Sequence, residues 1–205
     1  MEYYPVVLKL AGQPCLVVGG GAVAQRKVSS LLGAGAKVRV VAPSFAPALD
    51  ALGARGGVEL VRREYHPQDL EGAVLVIAAT DDRGINQKVS QEARKKGVLV
   101  NVVDSPQECS FLVPSVVSRG GLLIAISTGG RSPALARHLR EKLEKELGEE
   151  YALLLELLGE ARRQAQARGE SPTYNGWRDS LEPALELLRQ GKKEEARSLL
   201  LGKGA

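Results

Sequence analysis

Pro14-Cys15-Leu16-Val17-Val18-Gly19-Gly20-Gly21-Ala22-Val23-Ala24 decides the fold of this chain. A short uncharged run ending in glycine suits a strand buried on both faces. Helical spacing follows at once through Val23, Val28, Leu31 and Leu32, and Gly33-Ala34-Gly35 stops it. Lys37-Val38-Arg39-Val40-Val41 then reads as a second strand. Strand, glycine turn, helix and strand in fewer than thirty residues make a βαβ unit.

The turn itself is a G-x-G-x-x-A fingerprint. Gly19 makes the tight turn, Gly21 lets backbone amides approach a pyrophosphate, and the small Ala24 lets the helix pack close to the strand. Ala22 and Val23 open a helix whose unpaired N–H groups and positive dipole end receive phosphate charge. The pattern alone is weak, and its place between a strand and a helix gives it weight. An Asp or Glu is expected at the end of the second strand to hold the adenosine ribose. Ala42-Pro43-Ser44 stands there instead, so Pro43, Ser44 and nearby backbone are the candidate contacts. Arg39 lies inside the strand rather than at its end, so NAD is expected over NADP.

Outward from this unit the alternation continues. Val58-Glu59-Leu60-Val61, Val74-Leu75-Val76-Ile77-Ala78 and Val98-Leu99-Val100-Asn101-Val102 read as strands three, four and five, with a helix over about Arg83 to Lys96. The expected fold is α/β: a Rossmann-type parallel sheet with helices on both faces over residues 1–113. After Pro114 the pattern changes. Ser115 to Ser118, Gly120-Gly121 and Leu122 to Ile126 read as a hairpin outside that sheet. Ser132 caps a helix with Pro133 in its first position, and Leu135, Leu139, Leu143 and Leu147 form one stripe along it. A lone hairpin and a leucine stripe need something to bury against, either the first domain or a second copy of the chain; the second copy is favoured, so residues 114–148 are expected to be a small strand-and-helix dimerisation region. Residues 149–205 are expected to be a C-terminal helical region. It has one helix over about Glu149 to Ala167, a break at Arg168-Gly169-Glu170-Ser171-Pro172, and two shorter helices split at Gly191. Trp177, after Asn175-Gly176, is expected in an interhelical turn with a packing role.

Composition narrows the function. Hydrophobic residues are 44% of the 205, enough for a core. No run approaches the ~20 apolar residues of a membrane span, and the N-terminus lacks the features of a signal peptide, so a cytoplasmic protein without membrane association is expected. A net charge of +4 with 4% aromatic residues argues against a nucleic-acid binder while suiting a small polyanion. Cys15 and Cys109 make no CxxC or Cys/His cluster, and His66 and His138 have no evident partner, so no protein metal site is expected. The charged stretch from Arg140 to Glu150 reads as a solvated helix face.

Two further segments carry chemistry. Asn101-Val102-Val103-Asp104-Ser105-Pro106 follows the fifth strand, and ligands of open parallel sheets bind beyond the carboxyl ends of the strands. Asp104 there either accepts a proton as a hydride leaves for a nicotinamide or organises the Ser105-Pro106 turn. Thr128-Gly129-Gly130-Arg131-Ser132-Pro133 is either a carboxylate-binding loop, with an arginine beside glycine-flanked amides, or an ordinary capped loop.

With these residues in view, the chain resembles the precorrin-2 dehydrogenases of siroheme biosynthesis, whose members can also be sirohydrochlorin ferrochelatases. The matching pieces are Val17 to Lys27, Ala79-Thr80-Asp81-Asp82, Asn101-Val102-Val103-Asp104, Ser110-Phe111 with Pro114-Ser115, and Ser127 to Pro133. They fall in the family's order between about Tyr3 and Leu147.

The resemblance implies NAD-dependent oxidation of precorrin-2 to sirohydrochlorin. It also implies a homodimer and a cofactor site at Gly19, Gly21, Ala22, Val23, Pro43, Ser44 and Thr80, and it makes the missing ribose acid unexceptional. Asp104 matches the family's acid/base carboxylate, and Thr128, Gly129 and Arg131 become candidate anchors for a carboxylate-rich tetrapyrrole. Ferrochelation with Fe2+ as substrate is the companion activity, for which Asp104 could also accept pyrrole protons. With the chain ending at Ala205, the methyltransferase module fused to some relatives is expected to be absent, and separate methylation to supply the substrate. The rival from another class is a non-enzymatic NAD(H)-binding redox sensor. It accounts for the glycine turn and the leucine stripe but not for Asp104 and the Thr128 loop arriving together.

Overall fold

The computed structural model describes residues 3–169 and 174–202. They form two compact units, one up to Val113 and one from Pro114 onward. The first holds five parallel strands: β1 (Pro14–Val18), β2 (Lys37–Ala42), β3 (Glu59–Arg62), β4 (Leu75–Ala78) and β5 (Leu99–Val102), in the order β3-β2-β1-β4-β5. Helices α1 (Ala22–Gly33), α2 (Pro47–Ala54) and α3 (Arg83–Lys95) connect them. Leu16, Val17, Val18, Val40, Val41, Val76 and Val100 are almost fully buried, as expected of strands covered on both faces.

The chain runs outward from β1 through β2 to β3, then returns to β1's other side for β4 and β5. The strand order therefore reverses between β1 and β4. In open α/β sheets such a switch point opens a crevice at the carboxyl ends of the strands. The glycine turn after β1 lies there. The α/β expectation holds. The sequence reading passed over α2, whose only buried residue is Leu49, so it offers no apolar stripe to read.

The second unit begins with an antiparallel hairpin of β6 (Ser115–Arg119) and β7 (Leu122–Ile126), in register Val117 to Ile124. Next come α4 (Pro133–Glu146), α5 (Glu150–Ala167), α6 (Tyr174–Arg189) and α7 (Lys193–Leu201). Ser132 caps α4 as expected, its hydroxyl accepting from the Leu135 N–H. Arg119 ties the hairpin to the other end of α4 by donating to the Leu147 and Glu144 carbonyls, both at 2.8 Å. Leu154, Leu157, Leu185, Leu188, Ala196 and Leu200 pack α5, α6 and α7 around one core.

One expectation is corrected by the structure. Trp177 is not in a turn but in the first turn of α6, half-buried; the Asn175-Gly176 pair, a turn signal in isolation, is overridden by the helical run that follows it. The leucine stripe on α4 is only partly covered, with Leu135 49% and Leu139 37% exposed and Ala136 the buried residue of that helix. The end of α5 at Arg168-Gly169 agrees with the sequence, whereas Glu170-Ser171-Pro172 lies outside the described residues.

One buried charge steadies the long β3-to-β4 connection. Asp69, in the short 3-10 helix Pro67–Leu70, accepts from Arg63 at 2.6 and 2.8 Å and from the His66 backbone N–H at 2.8 Å. Burial alone would raise its pKa. The Arg63 hydrogen bonds and charge and the His66 bond outweigh burial and hold the carboxyl below its ordinary 3.8. A depressed carboxylate stabilises the fold above its unfolded pKa and loses that contribution as pH falls through the folded value. Asp69→Asn is therefore expected to lower unfolding free energy by about 1–3 kcal/mol at neutral pH. Urea titrations should show this deficit shrinking toward about pH 3, as the wild-type carboxyl takes up its proton.

Candidate functional site

The cleft at the carboxyl ends of β1, β2, β4 and β5 has a volume of about 1090 Å³. Its walls include Gly19 to Val23, Val41 to Ala46, Ala79 to Arg83 and Val103 to Ser105. All eight residues expected to bind the cofactor or act on the substrate in this unit (Gly19, Gly21, Ala22, Val23, Pro43, Ser44, Thr80 and Asp104) face this one space.

The three glycines do different things. Gly19 has φ 129°, a backbone state that side chains rarely adopt, and a Cβ on it would collide with the Ala79 carbonyl. A Cβ on Gly20 would collide with the Ser44 carbonyl. Both therefore serve the approach of the protein's own backbones. Gly21 differs, since no atom lies within 4 Å of where its Cβ would stand. It is also the N-cap of α1, with no side chain bonded to the first turn. The space a Cβ would fill is left open in front of uncapped amides, which fits a pyrophosphate.

The far wall is held by side chains the sequence reading did not single out. Asn86, 6% exposed on α3, accepts from the Thr80 N–H and hydroxyl and donates to the Thr80 carbonyl at 2.8 to 3.2 Å. Thr80 thus has both its donors turned into the protein and offers a ligand its remaining acceptor and its methyl. Asp82 caps α3 through Gly84 and Ile85. Tyr65 also lines the cleft, and its phenol, pushed up to about 12 by burial and by the charges of Glu92 and Asp69, stays neutral.

Among the described residues Asp104 is the only non-glycine with positive φ, at 58°. Such a backbone is sparsely populated, though Asp tolerates it better than most residues. Its carboxylate is exposed and hydrogen-bonds to no described residue, so it does not tie the turn that carries it. That turn is held from below. The Cys109 Sγ accepts from the Val102 N–H at 3.1 Å and lies 3.3 Å from the Val102 and Ser105 carbonyls. Lys27, on α1, is the cation that senses Asp104: burial, then Arg26, push its pKa down, while Asp104 and Cys109 act the other way.

Arg39 is bound to Glu59 across the β2–β3 pair at 2.9 Å, away from the end of β2. Among the described residues Arg83 is the only Lys or Arg lining the cleft.

Thr128, Gly129 and Arg131 belong to the second unit. The Thr128 hydroxyl lies 3.1 Å from both the Ser132 N–H and carbonyl, the Gly129 N–H donates to Ser127, and the Arg131 N–H donates to the Thr128 carbonyl. The Arg131 guanidinium is exposed and remains the group of this loop best placed to meet an anion.

Residues 6–115 match the family described as putative NAD(P)-binding, which is more than half of the sequence. This chain belongs to the putative NAD(P)-binding family. Residues 119–146 match a second family, sirohaem biosynthesis protein central. The siroheme synthase of Methylococcus capsulatus is 43% identical over 204 residues, covering 98% of this chain and 43% of that protein. That of Methylobacillus flagellatus is 42% identical over 211 residues, covering all of this chain and 45% of the relative. The chain thus spans less than half the length of these relatives. A solved structure, SirC, precorrin-2 dehydrogenase, has a TM-score of 0.74 at 29% identity over 97% of this chain and 98% of that one. The family resemblance and the fold read from the sequence are both borne out, and the expected nicotinamide cofactor agrees with the NAD(P)-binding match.

The glycine geometry separates folding from binding. Gly21→Val is expected to cost no more than about 1 kcal/mol of stability, through the poorer helix cap, yet to weaken NAD binding about tenfold or more. Gly20→Ala should destabilise the fold itself. Calorimetric titration with NAD+ and thermal melts of both variants check the pair.

Proposed function

We propose that this chain oxidises precorrin-2 to sirohydrochlorin with NAD+, in siroheme biosynthesis. The observation that carries the reading is the sharing of one cleft by Asp104 and the Gly19–Val23 turn. The family match and the likeness to a protein named precorrin-2 dehydrogenase support it. Gly21, Ala22 and Val23 would hold the pyrophosphate, Pro43 and Ser44 the adenosine side, and Thr80 the wall beyond. NAD is favoured over NADP because Arg39 lies inside β2, paired with Glu59 and outside the lining of the cleft, where it does not meet a 2′-phosphate. When bound, the dinucleotide supplies the hydride acceptor.

The residues of the chain do the rest. Asp104 accepts the proton released as the macrocycle is oxidised, and its carboxylate is free of competing hydrogen bonds. Arg131, with the Thr128-Gly129 turn that shapes its loop, anchors substrate carboxylates. Iron insertion into sirohydrochlorin, with Fe2+ as substrate, is the companion activity that Asp104 would serve by taking pyrrole protons. We assign residues 1–113 to cofactor binding, 114–148 to dimerisation and 149–205 to a helical appendage. The partly exposed Leu135 and Leu139 support a homodimer through α4. A cytoplasmic setting accords with the free thiols of Cys15 and Cys109.

Incubation with precorrin-2 and NAD+ should raise NADH absorbance; a redox sensor would give none. Asp104→Asn should bind NAD+ normally and turn over about 10²–10⁴-fold more slowly. Near-normal turnover would remove Asp104 from this role. A parallel assay with Fe2+ and sirohydrochlorin reads chelation.

A further inference from the structure

Helix α3 carries a line of polar side chains where a helix packed on a sheet would ordinarily be apolar. Asn86, Ser90 and Arg94 stand four residues apart, on one helical face. Asn86 and Ser90 are 6% and 4% exposed, and all three reach away from their own helix. Asn86 makes its bonds to Thr80. The Ser90 Oγ donates to the Glu108 carbonyl at 2.6 Å. Arg94 donates to the Cys109 carbonyl at 2.9 Å and lies 3.4 Å from that of Gln107.

Ser90 is the informative member. A serine inside a helix commonly bonds back to the carbonyl four residues earlier, and Ser30 on α1 does so, to Arg26 at 3.1 Å. Ser90 instead reaches a loop eighteen residues away in sequence. That loop, between β5 and Ser110, carries Asp104 in its left-handed state. Burying a hydroxyl costs free energy unless it is bonded, and alanine would fit helix and core at less cost. The hydroxyl is explained by what it holds.

We propose that Asn86, Ser90 and Arg94 form a polar spine that positions both walls of the cleft, with Asn86 fixing the Thr80 wall and Ser90 with Arg94 fixing the Asp104 wall. Ser90 and Arg94 are thereby positioning residues for the reaction, acting through the backbone of the turn that follows Asp104. One rigid helix sets the distance between the dinucleotide wall and the proton acceptor. This assignment rests on the oxidation reading above for its catalytic meaning, while the grip itself is a property of the unliganded protein.

The two are tested separately. Amide hydrogen exchange on the unliganded protein should show faster exchange at Ser105, Glu108 and Cys109 in Ser90→Ala and Arg94→Ala, with Thr80 unchanged. Asn86→Ala should show the reverse. In turnover assays, Ser90→Ala should lose about tenfold to a hundredfold in kcat, the size expected when a reacting group is displaced by about 1 Å. Its NAD+ affinity should stay within about twofold, whereas Asn86→Ala should lose NAD+ affinity. Arg94 is exposed, so Arg94→Ala carries the same test should Ser90→Ala fail to fold. Exchange that rises evenly over the first unit, or wild-type kcat in both Ser90→Ala and Arg94→Ala, would overturn the proposal. Absence of turnover in the wild-type protein with the exchange pattern intact would instead sink the oxidation reading and leave the spine standing.

Discussion

Where Gly19 passes Ala79, two backbones meet with no room for a methyl group between them. The Ala79 N–H donates to the Val18 carbonyl at 2.8 Å and the Gly19 N–H to the Val41 carbonyl at 3.0 Å, so the last residues of β1 are stitched to both neighbours. This contact sits where the strand order reverses, between β1 and β4. It brings the turn after β1 and the turn after β4 close enough to share a cleft, and it leaves Gly21 as the glycine whose missing side chain faces open space. The candidate binding surface follows from a close approach made for folding reasons.

Legibility in the sequence follows from what apolar periodicity reports. Buried strands such as Cys15 to Val18 and Val76 to Ala78 must exclude water over their whole length, so they appear as uninterrupted apolar runs. The hairpin and the capped start of α4 were equally plain, because Gly120-Gly121 and Ser132-Pro133 each have few alternatives. The missed features are those in which burial is accompanied by polarity. Asn86, Ser90 and Arg94 have the spacing of a helix face but the chemistry of a solvated one, and only the loops packed on them show that two of the three are buried. A polar i, i+4, i+8 series on a helix between two motif-bearing loops is the signal that could have revealed them.

At the site, chemistry was more legible than support. The fingerprint and Asp104 stand out by position, at the carboxyl ends of strands where ligands of open parallel sheets bind. What fixes them in place is spread over residues of ordinary type. Cys109 belongs to no cysteine motif, yet its thiol organises the turn after β5. Asp69 carries no motif in the sequence, yet it is buried against Arg63. Trp177 was misread for the converse reason: the Asn-Gly pair before it is a strong local signal, and the helical run through Arg189 overrode it.

The position of β1 in the sheet also sets a clock on the chain's synthesis. Its pairing with β2 is local, but Cys15 meets Leu75, sixty positions further on (15 to 75). At about 5–20 residues per second, β1 waits roughly 3–12 s for its second neighbour to be made. Over that interval one flank of a strand whose residues Cys15 to Val18 end up buried is an open edge, able to pair with another chain. Non-local pairing of this kind also slows folding once synthesis is complete. The segment that carries the glycine turn is therefore left with one open flank until β4 has been made.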